Sequence, residues 1–515
     1  MVVSDELFLL ISLLKQSEKR YFKIYSSNHV KGKKNNYVRL FEAIEKQDVY
    51  DEKALLEQFK GEVFTKQFSV TKNYLYNFIL KSLRSYYSGQ DISSRINNDL
   101  ESVKILYDKG LYKKSIKILK KVKEVARTYE KYEQLLNILD WEGEIMLRHL
   151  NVEKLKVYRA KARQESAEII AIIQNKNQLR LLSDQAYDLY RNYMIARSNE
   201  QLDKYASILE HELLQSPDKA LSFQAKWSYN NIHGIYYTTQ EDYEKACLYD
   251  ELQLELLEQY PHIKSADLTK YIKLLNNLLD DYLGLKRYDA FLTTLQVMRQ
   301  IPIQYSSQIT HSQEGLIFET AYELELSYYL SSVQFEKGIA CVPAIEKNLK
   351  KFENSILVEF RTSILFAVSK LYFYTGQLEK ASDWVRRIVF DDKPSPADDL
   401  LCFARLLNLL IHYELDNHVY LYSEIKTTKR FLAKKKRLYE VEKAILKYLG
   451  KLINIRHQNN KRSLYIQFKE VLKQIIDKPF EQHAVSYLNI IHWLNAKIEK
   501  KDIAEIMREQ KKLEE

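Results

Sequence analysis

The sequence predicts an all-α protein: a solenoid of helical hairpins preceded by a separate N-terminal helical unit. Three observations carry this. Gly is 11 and Pro is 7 in 515 residues, against average usage of roughly 7% and 5%. Sheet-rich and dinucleotide-binding folds need those residues for their turns. Apolar residues recur at helical spacing from end to end, and no run alternates as a strand would. Short turns also return at a long, regular interval: Tyr243, Tyr288, Phe335, Leu378 and Tyr420 are 45, 47, 43 and 42 residues apart. An apolar fraction of 46% supplies a sizeable core and excludes a disordered chain.

Residues 1–90 read as one compact basic unit with helices at 5–28, 35–47, 51–60 and 66–87. Ser4 is the expected N-cap of the first, with Asp5 and Glu6 in its first turn. The apolar run 7–14 is shorter than the roughly 20 residues that span a bilayer, and Lys15 and Lys19 interrupt it, so it reads as a buried helix. The acidic start lacks the basic segment of a signal peptide. Lys31-Gly32-Lys33-Lys34-Asn35-Asn36 is a polar link. Gly61 closes the third helix, and Gly89 stands where a cap of the fourth belongs. This unit holds 15 Lys/Arg and 10 Asp/Glu, half of the net charge of +10 in about a sixth of the chain.

From residue 92 to 515 the pattern becomes a train of hairpins, about ten of them. Turns are read at Gly110-Leu111-Tyr112 with Ser115, and at Gly234 to Tyr243 with Tyr237 and Ala246. Further ones lie at Gly284 to Tyr288, at Tyr328 to Phe335 with Gly338, and at Tyr372 to Ala381 through Gly376 and Leu378. Pro261, Pro302 and Pro394 fall where a second helix is expected to stop. Ala246 and Ala381 let paired helices approach, and Tyr237 and Tyr372 fill the space left between neighbouring hairpins. A single hairpin cannot bury its apolar face, so hairpins stack.

These residues resemble the tetratricopeptide repeat, whose pattern has a Tyr in the first helix, a Gly-x-Tyr turn, a small residue early in the second helix and a Pro after it. Tyr372, Gly376, Leu378, Ala381 and Pro394 carry the resemblance best. In the unit at 234–261, Asp250 replaces the usual aromatic residue. The period of about 42–47 residues exceeds the family's 34, so the helices must be longer. The chain as a whole also resembles a group of uncharacterised helical-repeat proteins from Bacteroidota, on segments 15–23 and 431–439, which implies no activity. The tetratricopeptide resemblance implies a right-handed α-solenoid whose first helices line a concave, peptide-binding groove. Asn231, Asn276, Asp280, Lys370 and Tyr374 would then face that groove. The two-lysine, two-asparagine carboxylate clamp of chaperone-binding relatives is not reproduced.

Catalytic chemistry finds little support. No GxxxxGK[ST] or GxGxxG is present, and the 11 glycines never lie within three residues of one another. His412/His418 and His483/His492 lack the spacing of a zinc site. Cys247, Cys341 and Cys402 are odd in number and lie in apolar helical contexts, which suits small buried hydrophobes in a reducing cytosol. No enzyme activity, cofactor or metal is therefore expected. The expected role is a cytoplasmic scaffold, not bound to a membrane, that takes a peptide or helix of another protein in its groove. The alternative is a regulator whose N-terminal unit binds DNA while the solenoid senses a partner. On helix 66–87, Leu75, Phe78, Ile79 and Ser82 share one face. Asn73, Asn77, Lys81 and Arg84 share another, with side chains suited to base edges and phosphates. The run Lys434-Lys435-Lys436-Arg437 is either a site for an acidic partner or nucleic acid or an exposed turn.

Overall fold

The computed structural model describes residues 3–29, 35–89, 91–193, 196, 198–390, 398–455, 458–478, 481 and 487–514. The expected loop at 31–34, Pro394 and His483 lie outside the described residues. Every regular element among the described residues is helical. The chain forms two compact units, Met1–Ile173 and Gln174–Glu515. The change of pattern near residue 91 thus falls inside the first unit, where a bundle gives way to hairpins.

In the first unit, α1 (Val3–Leu13), α2 (Gln16–His29), α3 (Asn36–Glu45), α4 (Glu52–Gln58) and α5 (Phe68–Tyr87) make the bundle. The single helix expected over 5–28 is broken at Leu14-Lys15, because the Glu18 carboxylate reaches back to accept the Lys15 N–H and so starts a new helix. The first helix begins at Val3, which places Ser4 inside it rather than at its cap. Asn35 and Asp51 cap α3 and α4 by accepting backbone N–H groups with their side chains. Gly61 takes φ 89° in the link that follows, whereas Gly89 does not enter the left-handed region. A short 3₁₀ turn, Val63–Gln67, precedes α5. Leu75, Phe78 and Ile79 of α5 close the core against Leu7, Ile11, Phe22, Leu40 and Phe41. The α6 (Ile92–Asp108), α7 (Tyr112–Thr128) and α8 (Tyr132–His149) helices share a second core with Ile169 of α9 (Val152–Tyr193).

The second unit contains the last part of α9, then α10 (Asn199–Leu209) and a series of pairs. These are α11 (Phe223–Thr238) with α12 (Tyr243–Gln259), followed by the short α13 (Pro261–Ala266), and α14 (Leu268–Gly284) with α15 (Tyr288–Gln304). Next come α16 (His311–Ser331) with α17 (Phe335–Lys351), and α18 (Val358–Tyr374) with α19 (Leu378–Val389). The series continues with α20 (Asp398–Glu414) and α21 (His418–Lys434), α22 (Glu440–Leu452) and α23 (Gln458–Ile476), and α24 (Ile490–Glu499) and α25 (Ile503–Glu514). Each first helix packs on its own second helix, and α14, α16, α18, α20 and α22 also pack each on the next in line. That is the nearest-neighbour arrangement of an α-solenoid.

The turns share one backbone device. Gly110, Glu130, Glu241, Lys286, Val333, Gly376 and Asp416 all take positive φ, between 50° and 73°. In each case the next helix starts two residues later. The intervening N–H reaches back five residues to a carbonyl, as in Leu111 N–H to Leu106 O and Asp242 N–H to Tyr237 O, at 2.7–3.0 Å. This is the Schellman closure. Glycine, the residue that adopts it without strain, occupies only two of the seven positions. The fifth anchor of the period is consequently His418, which starts α21, and not Tyr420.

Small residues set the closeness of the pairs. Ala246, Ala381 and Ser115 are fully buried. A Cβ on Gly284 would lie 2.5 Å from the Tyr243 ring, and one on Gly338 would lie 2.7 Å from Leu371. Of the prolines read as stops, Pro261 follows the end of α12 as expected, whereas Pro302 does not follow its helix. Pro302 sits inside the last turn of α15. Pro261 opens α13, where its missing N–H costs nothing.

Candidate peptide-binding groove

The first helices of the second unit turn a row of polar side chains toward one occupant, the end of α9. Ser183 of α9 accepts from Asn231 Nδ2 of α11 at 3.2 Å. Tyr190 lies in the field of Asp280 on α14 and Glu323 on α16, with Tyr243 and Tyr487 alongside. Arg191 is ion-paired with Glu359 at the start of α18. Beyond it, the Arg437 guanidinium donates to the Asn192 carbonyl at 3.0 Å, and the Ala196 N–H donates to the Thr239 carbonyl at 3.0 Å. The end of α9 thus lies against the first helices α11, α14, α16 and α18.

The carboxyls facing this helix are unusual. Burial pushes Asp280 up to about 6. Burial also pushes Glu323 up to about 7, against the Ser363 hydroxyl that donates to it at 2.6 Å. Glu319 is pushed up to about 8 by burial, against the Leu357 N–H it accepts at 3.1 Å. None of the three has a cation within ion-pair distance among the described residues. A carboxylate without a counter-charge in a walled site resists ionisation. Next to them, Asp250 and Asp281 are a buried pair joined by a hydrogen bond, and Asn277 Nδ2 donates to Asp250 at 3.4 Å. Burial raises both; the neighbouring Asp250 carboxyl raises Asp281 further, to about 10.

Of the residues expected to face the groove, Asn231 and Asp280 meet α9 as described. Asn231 also lines a cavity of about 260 Å³ with Trp227, Gln253, Lys270, Lys273 and Asn277. Asn276 is half-buried and donates to the Asn277 side chain at 3.4 Å. Lys370 lies over the Phe366 ring at 4.9 Å, and burial pulls its ammonium down to about 8. Tyr374 corrects the expectation. It is 1% exposed and packs against Phe335 and Phe373, so its ring belongs to the core.

Sequence reasoning passed over Ser183, Tyr190, Arg191, Glu319, Glu323 and Glu359. The one available signal was the absence of any Gly or Pro between Gly143 and Pro217. That gap is too long for a hairpin of the common period.

On α5 of the first unit, Asn73, Asn77, Lys81 and Arg84 are all exposed, as their spacing predicted. Asn77 Nδ2 is bonded back to Asn73, at 2.9 Å to its carbonyl. Asn77 and Arg84 border an open groove of about 740 Å³ that also includes Tyr87 of α5 and Ser94, Asn97 and Asn98 of α6. In the run 434–437, the three lysines form an exposed turn with Lys436 at φ 56°. Arg437 instead is buried and paired with Asp399 at 2.8 Å, which removes it from any surface site. Burial pushes the Cys247 thiol up to about 12 and that of Cys341 up to about 11. No helix among the described residues is long and apolar enough to cross a membrane.

The fold defines an all-α solenoid of stacked helix pairs. No protein-family model matches this chain, and no curated protein matches it. Among solved structures it is similar to a signal transduction ATPase with numerous domains that carries a tetratricopeptide repeat sensor, from Pyrococcus horikoshii. The identity is 16% and the TM-score 0.31, over 86% of this chain and 56% of that one. At that TM-score the fold assignment rests on the helix pairing itself.

Proposed function

We propose that this protein is a non-catalytic, cytoplasmic interaction scaffold whose second unit holds a peptide or helix of another protein against the first helices of its pairs. The observation that supports this reading is the seating of residues 183–192 across α11, α14, α16 and α18, where the chain's own helical segment is held by its side chains. Asn side chains suit such a role because each offers a donor and an acceptor. Carboxyls with raised values in a cleft are also what an acid–base enzyme would need. Here, however, Tyr190 and Arg191 stand where a substrate would, and the raised thiols are poor nucleophiles. Pull-down with the whole chain tests the proposal. Replacing Asn231, Asn276 and Lys370 together should abolish capture while the helical circular dichroism is kept. Capture untouched by all three changes rejects the groove as the site.

The groove between α5 and α6 supports a second reading, nucleic-acid binding by the first unit. The whole chain should then shift duplex DNA at about 50 mM salt, with affinity falling steeply as salt rises. Lys81→Ala with Arg84→Ala should shallow that slope. No shift at low salt removes this reading.

A further inference from the structure

We propose that the groove of the second unit selects a helical segment carrying a tyrosine followed directly by an arginine, and that residues 187–193 of α9 occupy it as an internal competitor. This rests on the groove being the partner-binding surface, and it adds what the partner must look like.

The argument begins with how α9 is held. Its residues 175–186 are anchored. Leu179 and Ala186 are buried with Ile208, Leu214, Ala220 and Ile232. The Asn175 amide donates to the Lys219 carbonyl at 2.8 Å and accepts from the Leu221 N–H at 3.0 Å. The end of the helix is held differently. Tyr187 is 44% exposed, Tyr190 is half-buried, and the side chain of Arg191 is 40% exposed in its pair with Glu359. No apolar side chain of 187–192 belongs to the fully buried core. Leu189 is only partly buried against that core, and the rest of this end is attached by a ring among carboxyls, an ion pair and the Arg437 contact to the Asn192 carbonyl. Such contacts exchange for equivalent ones without opening the core.

Acidic groups outnumber cations here. Asp280, Glu319, Glu323 and Glu359 face the end of α9, which brings one cation, Arg191, paired with Glu359, and one anion, Asp188; the other three carboxyls, which resist ionisation while unpaired, ionise more readily beside a further cation. A groove built this way favours an incoming segment with at least as much positive charge, and it rejects an acidic one. The tyrosine follows from the same geometry. A phenol can donate to a carboxylate while its ring stays in aromatic company, as Tyr190 does with Tyr187 beside it and Tyr243 and Tyr487 nearby.

Because the internal segment is tethered, its effective concentration is high, on the order of millimolar. A free peptide must compete with it. The test uses a fluorescein-labelled peptide with the sequence of residues 177–193, titrated against the full chain by anisotropy. Wild type should bind it weakly. Tyr190→Ser with Arg191→Ser should bind it about 10- to 100-fold more tightly, by vacating the site. Adding Glu359→Gln to that variant should cancel the gain, and a peptide with Glu in place of the arginine should not bind. Thermal unfolding shows that each variant is folded. Equal affinity for wild type and the double variant overturns the proposal, as does a gain that survives Glu359→Gln. Partner capture that still depends on Asn231, Asn276 and Lys370 after either result leaves the broader reading standing, which separates the two failures.

Discussion

Two sets of carboxyls, one in each unit, are treated in opposite ways. In the first unit these groups meet cations. For Glu45, burial is outweighed by Lys19 and Lys23; for Glu52, Lys72 dominates; for Glu165, burial is outweighed by Arg127 and Lys123. All three are held below the usual carboxylate range. In the second unit, Asp250, Asp280, Asp281, Glu319 and Glu323 are buried away from cations and are raised. The second unit has paired carboxyls as well, such as Asp399 with Arg437 and Glu424 with Arg405, but beside them it keeps this set of unpaired acids. A surplus of this kind stabilises nothing by itself and acquires a use only when a cation arrives.

The largest expected effect that sharpens this contrast is the pH dependence of stability. Carboxyls lowered by folding stabilise above their ordinary values, so the first unit weakens as pH falls below about 4.5. Carboxyls raised by folding make the native state hold more protons than the unfolded one. The stability these groups contribute to the second unit is present near pH 4 and is lost as pH rises through their raised values. Trp141 is the tryptophan of the first unit, so Trp141→Phe leaves fluorescence that reports the second unit alone. Melting of that variant should fall from pH 5 to pH 8. Asp281→Asn should flatten the fall and raise the melting temperature at pH 8. A flat profile in the parent would break the comparison.

Glycines give the next largest test. Gly284→Ala drives a methyl into the Tyr243 ring at the tightest approach in the second unit. It should cost about 1–3 kcal/mol, read in denaturant unfolding. Gly143 in α8 of the first unit has open space around its missing Cβ. There the same change should stabilise, by about 0.5–1 kcal/mol, because alanine is the better helix former. If both changes have the same sign, close packing is not what separates the two glycines.

Much of this was legible in the sequence. The helical class, the hairpin order, the buried Ala246 and Ala381, and the two faces of α5 all follow from spacing. What was not legible has a physical cause in each case. The break at Leu14-Lys15 depends on one carboxylate folding back, and periodicity cannot register that. The left-handed turn residue shows in the sequence only where it is glycine. At 241, 286, 333 and 416 the backbone hydrogen bond enforces it on Glu, Lys, Val and Asp. Asp250 stood out as a departure from the repeat, but its meaning needed Asp281, which arrives from another helix. The end of α9 has no single apolar stripe, because each of its turns meets a different helix. A polar pattern of that kind reads as solvated surface.

The seven matching turns carry a consequence of their own. A closure made by backbone hydrogen bonds accepts Glu, Lys, Val and Asp as well as the unstrained glycine, so these positions are natural seams. From Glu241 to Asp416, excising the chain from one seam to the equivalent point in the next removes a helix pair without cutting a helix. Segments such as 287–333 can thus be lost, duplicated or exchanged as cassettes, and the length of the array becomes a quantity that can be edited.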